Sequence, residues 1–430
     1  MKRRKFLLAI APLIAMAWTA PLSAQSVEEF YSSHDVDLYI GYSTGGGYDA
    51  HARTLARHMG KHIPGNPEII PRNREGAGSM LLTNELASTL PNDGTVFAAI
   101  GRGQVLQPLY GIPEATFKPR ELNWIGSTSN EVSICIVWKD VPVDSWQDLK
   151  TRGMIVGGTG PGADTDTFPR LLNNILGTKL QLITGYPGGS DVVLAMERGE
   201  VEGRCGYSYS SMVSQRPDLL EDKKIRILMQ MSTAKHPAIP DVPLVMDLAE
   251  NDRDREVMRM VFAPQVMGRP FVAPAGVPED RVAALRAAFD ATMKDPEYLA
   301  DIEKQGLELE PVSGEEIQAL VVRMYDQPQD IIDAAKEAST SEANLPISEV
   351  KLDMRVDEGE ITETGDGGRT ITYKMSDGKA QSVSISGSRT AVSIAGQGDD
   401  RANLKVGMMC KVTMPPNAEG DIEATEVVCE

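Results

Sequence analysis

Apolar positions follow two different rhythms along this chain. From about residue 36 to 338, short apolar runs alternate with stretches in which apolar residues return every third or fourth position. The runs predict strands at 36–40, 68–71, 96–100, 133–138, 154–157, 181–184 and 225–229. The intervening patterns predict helices at 49–61, 79–88, 144–151, 168–176, 191–198, 280–294 and 296–305. In the first of these, Ala52, Leu55, Ala56 and Met59, with Ile63 just beyond, fall on one side and should lie against a sheet. This alternation is that of βαβ units in an α/β fold. From Glu349 onward the period falls to two, with short strands expected at 360–363, 369–375, 381–386, 391–395, 407–414 and 422–429. Ser376-Asp377-Gly378 reads as a hairpin turn, and strands this short and numerous suggest a small all-β barrel, OB-like, after a linker at Asn344-Leu345-Pro346.

The N-terminus belongs to neither rhythm. Lys2, Arg3, Arg4 and Lys5 precede an apolar run from Phe6 to about Ala20, closed by Leu22-Ser23-Ala24. This is the layout of a secretory signal peptide over 1–24, with Arg3-Arg4 also compatible with twin-arginine export. No Cys follows the cleavage point, and no later apolar run approaches the ~18 residues of a membrane span, so a periplasmic protein without membrane insertion is expected. Losing four signal cations takes the formal charge from −18 to −22, which argues against nucleic acid or anionic lipid as partner. Four cysteines in an oxidising compartment invite pairing. Cys410 and Cys429 lie near the ends of two C-terminal strands and should bridge; for Cys135 and Cys205 a bridge and two buried thiols both remain open.

Two segments carry candidate chemistry. Leu38 to Gly60 runs from a strand through Gly45-Gly46-Gly47 into a helix, and Met154 to Gly177 repeats the strand, glycine loop and helix start. Such corners aim backbone N–H groups at one point and attract anions. Asp49 and Asp166 have a simpler use as caps of their helices.

Further stretches make the chain recognisable. Pro64 to Gly78, Pro91-Asn92-Asp93-Gly94-Thr95, Lys224-Ile225-Arg226-Ile227-Leu228, Pro240-Asp241-Val242-Pro243 and Ala273-Pro274-Ala275-Gly276-Val277-Pro278 occur in collinear order. Together they resemble the Bug-type receptors, the extracytoplasmic solute-binding proteins of tripartite tricarboxylate transporters. The resemblance implies a two-lobed periplasmic-binding-protein fold of type II-like form, closing on a small carboxylate, without cofactor or metal, and passing it as a monomer to membrane permease subunits. Lobe I would comprise 25–128 and 233–345, lobe II 129–232, with 346–430 an accessory barrel. By position, the ligand-binding residues would be Ser43, Thr44, Gly45, Gly46, Gly47 and Asp49, with Gly76, Ala77 and Gly78, from the first lobe. The second would offer Gly158, Thr159, Gly160, Gly162 and Thr165, then Tyr186, Gly188, Gly189, Ser190 and Asp191. Asp164-Thr165-Asp166-Thr167 departs from the family pattern, and its acids question the ligand charge.

Competing readings attach to some of these residues. Gly41-Tyr42-Ser43-Thr44-Gly45 matches a G-x-S-x-G nucleophile elbow and would make Ser43 the nucleophile of a secreted hydrolase, although Gly46-Gly47 delay the helix that an elbow enters directly. An envelope adhesion or signalling module working through the barrel is a further reading. His51, His58 and His62 fall within about 40° on an ideal helix, but 51 and 58 are about 10 Å apart, so a solvated face is expected in preference to a metal site. Met354, Met375, Met408, Met409 and Met414 are expected to pack a core, and Tyr373 alone is too little aromatic surface for a nucleic-acid platform.

Overall fold

The computed structural model describes residues 25–350, 355–385, 390–398, 400–414, 422–424 and 426–429. The expected signal peptide, Met354 and Ser386 lie outside them. Within the described residues no helix is long and apolar enough to cross a membrane.

Two mixed sheets form the body of the chain. The first has the order Val312–Ser313, Asn123–Ser127, Pro270–Ala273, Val96–Ala99, Val36–Ile40, Ile69–Asn73. Val36–Ile40 sits between two parallel neighbours, Val96–Ala99 and Ile69–Asn73, and its Val36, Leu38 and Ile40 are wholly buried. The second sheet has the order Ile347–Glu349, Leu180–Thr184, Met154–Gly157, Gly203–Ser208, Ser133–Trp138, Ile225–Met231. The chain crosses from the first sheet to the second after Ser127 and returns after Met231. One apolar cluster packs the helices on one face of the first sheet; a second spans both sheets, where Phe168 meets Phe262 edge-on at 5.0 Å.

Both glycine corners form, with helices at Gly47–Met59 and Asp164–Leu176; the second begins four residues before the expected 168, and Gly46 and Ala163, not Asp49 and Asp166, stand at the N-caps. The region read as a helix at 144–151 is a single 3-10 stretch, Trp146–Lys150. Three interior strands escaped the pattern: Asn123–Ser127, Gly203–Ser208 and Pro270–Ala273. Gly-Arg-Cys-Gly-Tyr-Ser at 203–208 shows no alternation because every position is buried between two neighbouring strands. Cys135 and Cys205 stand opposite each other in this sheet and are joined by a disulfide.

Residues 347–349 were expected to open the C-terminal unit. They instead add a parallel edge strand to the second sheet, with the Pro346 carbonyl accepting from Leu182 N at 2.9 Å and Thr184 O accepting from Val350 N at 2.8 Å.

The C-terminal strands form one sheet around their own core of Ile361, Tyr373, Val412, Met414 and Val427. The expected OB-like closed barrel is not found among the described residues. The order ends in Gln397–Gly398 on one side and Ile422–Glu423 on the other. Ile422–Glu423 pairs with Ala380–Ser384, whereas Glu426–Cys429, only two residues on, pairs with Ala391–Ile394 and Met409–Met414. Cys410 faces Cys429 across adjacent strands and is bonded to it. Met414 is buried, Met375 and Met408 pack against this core, and Met409 is exposed, so core packing accounts for only part of the methionine set.

Candidate functional site

The two glycine corners face each other across the gap between the sheets. Gly78 N donates to Thr159 O at 2.9 Å, Ser43 Oγ donates to Asp191 Oδ2 at 2.7 Å, and Ser190 Oγ donates to Gly45 O at 3.0 Å. Side chains are not tolerated where the backbones touch. A Cβ on Gly78 would stand 2.8 Å from Gly160 O, and one on Gly160, at φ +129°, would stand 2.5 Å from Gly78 N.

Behind this seam lies a cavity of about 60 Å³. The first lobe lines it with Tyr42, Gly46, Gly47, Tyr48, Arg102 and Arg269, and the second with Thr159, Asp164, Thr165, Gly189, Ser190, Arg204, Tyr207, Ser208, Ser211 and Gln215 among others. Three helices of ten or more residues begin at its wall, Gly47–Met59, Asp164–Leu176 and Gly189–Arg198, and the shorter Tyr209–Gln215 begins there too. The N-cap residues of the three longer helices are Gly46, Ala163 and Gly188, and none makes a side-chain cap hydrogen bond.

Three buried arginines meet here, two of them matched. Arg102 is paired with Asp164 across the cleft and also donates to Ser133 Oγ at 2.9 Å and Gly268 O at 3.1 Å. Burial would lower its pKa, but Asp164 and the neighbouring groups raise it overall. Arg269 lies 3.2 Å from Glu131, donates to Ser211 Oγ at 2.6 Å, and stacks 4.7 Å from the Tyr48 ring centroid. Glu131 is fully buried; burial alone would raise its pKa, yet Arg269, Arg102 and the Ser210 hydroxyl bring it below the ordinary glutamate value. Arg204 differs. It is 8% exposed, donates to Gly189 O at 3.1 Å and stacks 3.9 Å from the Tyr207 ring centroid, and no carboxylate among the described residues pairs with it. Desolvation pulls its pKa down to about 10.

The Asp-Thr-Asp departure is thereby explained. Asp164 is spent on Arg102, and Asp166 pins the glycine loop by accepting from Gly160 N at 2.8 Å and from the Thr184 hydroxyl. Burial pushes the Asp166 carboxyl above its usual range. Asp49 does the same for the other loop, accepting from Gly45 N at 3.0 Å, while Arg53 and Asn73 hold its second oxygen at 2.8 and 2.9 Å.

The structure sorts the sequence-derived site residues into three groups. Gly46, Gly47, Thr159, Thr165, Gly189 and Ser190 line the cavity. Ser43, Gly45, Gly78, Gly160 and Asp191 lie in the seam where lobe meets lobe, with Thr44, Gly76, Ala77, Gly162 and Gly188 in the same loops and Gly158 packed on Asp166. Asp49 and Tyr186 stand apart from the cavity. Tyr186 was expected at the cleft; it packs in the second lobe's core, beside Val192 and Gly157, with its hydroxyl toward Glu200 at 3.4 Å. The histidine stripe is not a solvated face either. His51 is buried against Thr128 at 3.0 Å, and His58 and His62 face Asp301 and Asp295 at 3.0 and 2.7 Å. No cluster of metal-ligating side chains occurs among the described residues. Ser43 Oγ donates to Asp191 Oδ2, and among the described residues no imidazole hydrogen-bonds to it.

Arg102, Arg204, Arg269, Tyr42, Tyr48, Tyr207 and Gln215 were missed. Arg204 and Arg269 sit in or next to the strands that lacked a pattern, and an arginine flanked by glycine, Cys and apolar residues was the available signal.

Two α/β lobes with a polar cavity at their seam, lined by helix starts, define a periplasmic-binding-protein fold. The solved periplasmic binding protein BugD superposes with a TM-score of 0.58 at 19% identity, covering 71% of this chain and 98% of BugD. MatC of Rhodopseudomonas palustris with bound malate gives 0.55 at 18% over 70% and 99%, and R. palustris Rpa4515 with adipate gives 0.56 at 18% over 70% and 97%. A UPF0065 protein in the gbd 5′ region of Cupriavidus necator is 27% identical over 323 residues, 72% of this chain and 90% of its own length. The profile of the TctC family, described as the tripartite tricarboxylate transporter family receptor, matches residues 51–336. The chain belongs to this family of extracytoplasmic solute-binding receptors.

Proposed function

We propose that this protein captures a small organic acid, a di- or tricarboxylate or an aromatic acid, in the cavity between its lobes and delivers it to the permease subunits of a tripartite transporter. It would do so in the periplasm, as a monomer, without catalysing a reaction. One observation carries the reading: three helices start at the cavity wall without a side-chain cap. First-turn N–H groups that no side chain caps, and the positive ends of three helix dipoles, favour an acceptor-rich, negatively charged ligand. The relatives named above with malate and adipate bound share this fold. Binding by lobe closure suits the seam, whose glycines let backbone approach backbone.

The test is a thermal-shift series on the mature protein with malate, adipate, citrate and benzoate against neutral sugars. A ligand held only by the folded state at a hundredfold excess over its Kd adds about 2.7 kcal/mol. Stabilisation by acids and none by sugars supports the reading. Stabilisation by sugars alone ends it.

A further inference from the structure

The charges in the cleft do not cancel. Arg102 is answered by Asp164 and Arg269 by Glu131, while Arg204 has neither a carboxylate nor bulk water. Taking a guanidinium out of water is expensive, and a fold that keeps one there unpaired gains from a partner that arrives later. The nearest fields do little to help. Asp164 attracts Arg204 weakly and is committed to Arg102, and Arg269 repels it.

The geometry shows which part of Arg204 is free. Nη1 donates to the Gly189 carbonyl, Nε is buried without a partner, and Nη2 makes no hydrogen bond. Nε and Nη2 share the side-on edge of the guanidinium, the edge that takes both oxygens of one carboxylate in parallel. The other face is fixed by Tyr207, so the fork is held in place before any ligand binds. Gly189 makes the space: a Cβ there would stand 2.5 Å from Nη2.

We propose that Arg204 is the residue that receives the solute's carboxylate, side-on through Nε and Nη2, and that it makes the second lobe the charge-reading half of the receptor. This rests on the carboxylate reading above and goes further by assigning the charge contact to one side chain. Backbone amides of the helix starts then orient the remainder of the acid.

The test is calorimetric titration of wild type, Arg204→Met and Arg204→Lys with malate and adipate, with the melting temperature of each ligand-free protein measured alongside. Met keeps the stem that packs on Tyr207 and removes the buried charge. Without ligand, Arg204→Met should melt at or above wild type, because an uncompensated cation has gone. With ligand its affinity should fall about thirty-fold or more, the scale expected when one partner of a buried charge pair is lost. Arg204→Lys retains charge without the fork and should lie between the two. Wild-type affinity in Arg204→Met overturns the assignment and leaves the receptor reading standing. A large loss of melting temperature in the ligand-free Met protein makes Arg204 part of the scaffold and also overturns it. A wild-type protein that binds no acid overturns both.

Discussion

In the first lobe Asp49 accepts the Gly45 N–H from the third position of its helix and is itself held by Arg53 and Asn73. In the second, Asp166 accepts the Gly160 N–H from the same helical position, but its other partners are hydroxyls and its carboxyl is pushed up by burial. The same contrast holds for the arginines. Those of the first lobe, Arg102 and Arg269, each have a carboxylate, and Arg204 of the second has none. One local device, a helical aspartate tying down a glycine loop, is thus built into two walls of different electrostatic character. The carboxylates that answer the first wall's arginines, Asp164 and Glu131, come from the second lobe, so those pairs bridge the walls and Arg204 alone keeps a charge to be answered.

The largest effect expected from disturbing this balance is at His51, which lies fully buried behind the Arg269–Glu131 pair, its pKa lowered to about 3 by burial first and by Arg269 second. An unfolded imidazole takes its proton near 6.5. Between these values only the unfolded chain is protonated at this site, so stability should fall with pH by up to about 1.4 kcal/mol per unit. In His51→Gln the melting temperature should decline less steeply between about pH 6.5 and 4. Parallel curves for the two proteins would mean that His51 is not buried neutral.

Next in size is the seam. Gly160→Ala forces a Cβ toward Gly78 N at a positive φ, which should cost the closed form about 2–4 kcal/mol and weaken acid binding by roughly thirty-fold to a thousandfold. Unchanged affinity by titration would show that these backbones need not touch when a solute is bound.

The C-terminal boundary sharpens what belongs to the second lobe. A chain ending at Val350 keeps the Ile347–Glu349 edge strand, whereas one ending at Asn344 loses its hydrogen bonds to Leu180–Thr184 and about 2–3 kcal/mol. Chemical denaturation of the two truncated proteins should separate them, and equal midpoints would count that strand as dispensable.

The smallest effect compares the two aspartates directly. Asp49→Asn removes the carboxylate that pairs with Arg53, which keeps Asn73 and solvent, and should cost about 1 kcal/mol, while Asp166→Asn breaks no ion pair and should cost less. A reversed order by thermal melting would undo the contrast between the walls.

Much of the fold was readable from periodicity. Val36–Ile40 and Gly47–Met59 follow from an apolar run and a one-sided stripe, because a strand beside a helix must hide one face of each. Tyr186 was misjudged because nearby glycines signal a loop without saying which way a tyrosine points. The barrel was over-read because strand count says nothing about closure, which depends on whether the end strands find each other.

The local chemistry of this receptor was therefore set by the sequence alone: glycines where backbone must approach backbone, aspartates at the helix starts, and Cys410 and Cys429 placed to pair, whereas the Cys135–Cys205 bridge needed the sheet to set its strands side by side. Which charges would be answered was decided by tertiary structure. Arg204, Asp164, Glu131 and Arg269 are far apart along the chain, and only the crossing of two sheets brings them to one cavity and gives two arginines a carboxylate while leaving the third without. Coulomb interactions and desolvation depend on distance and burial, which the fold alone supplies.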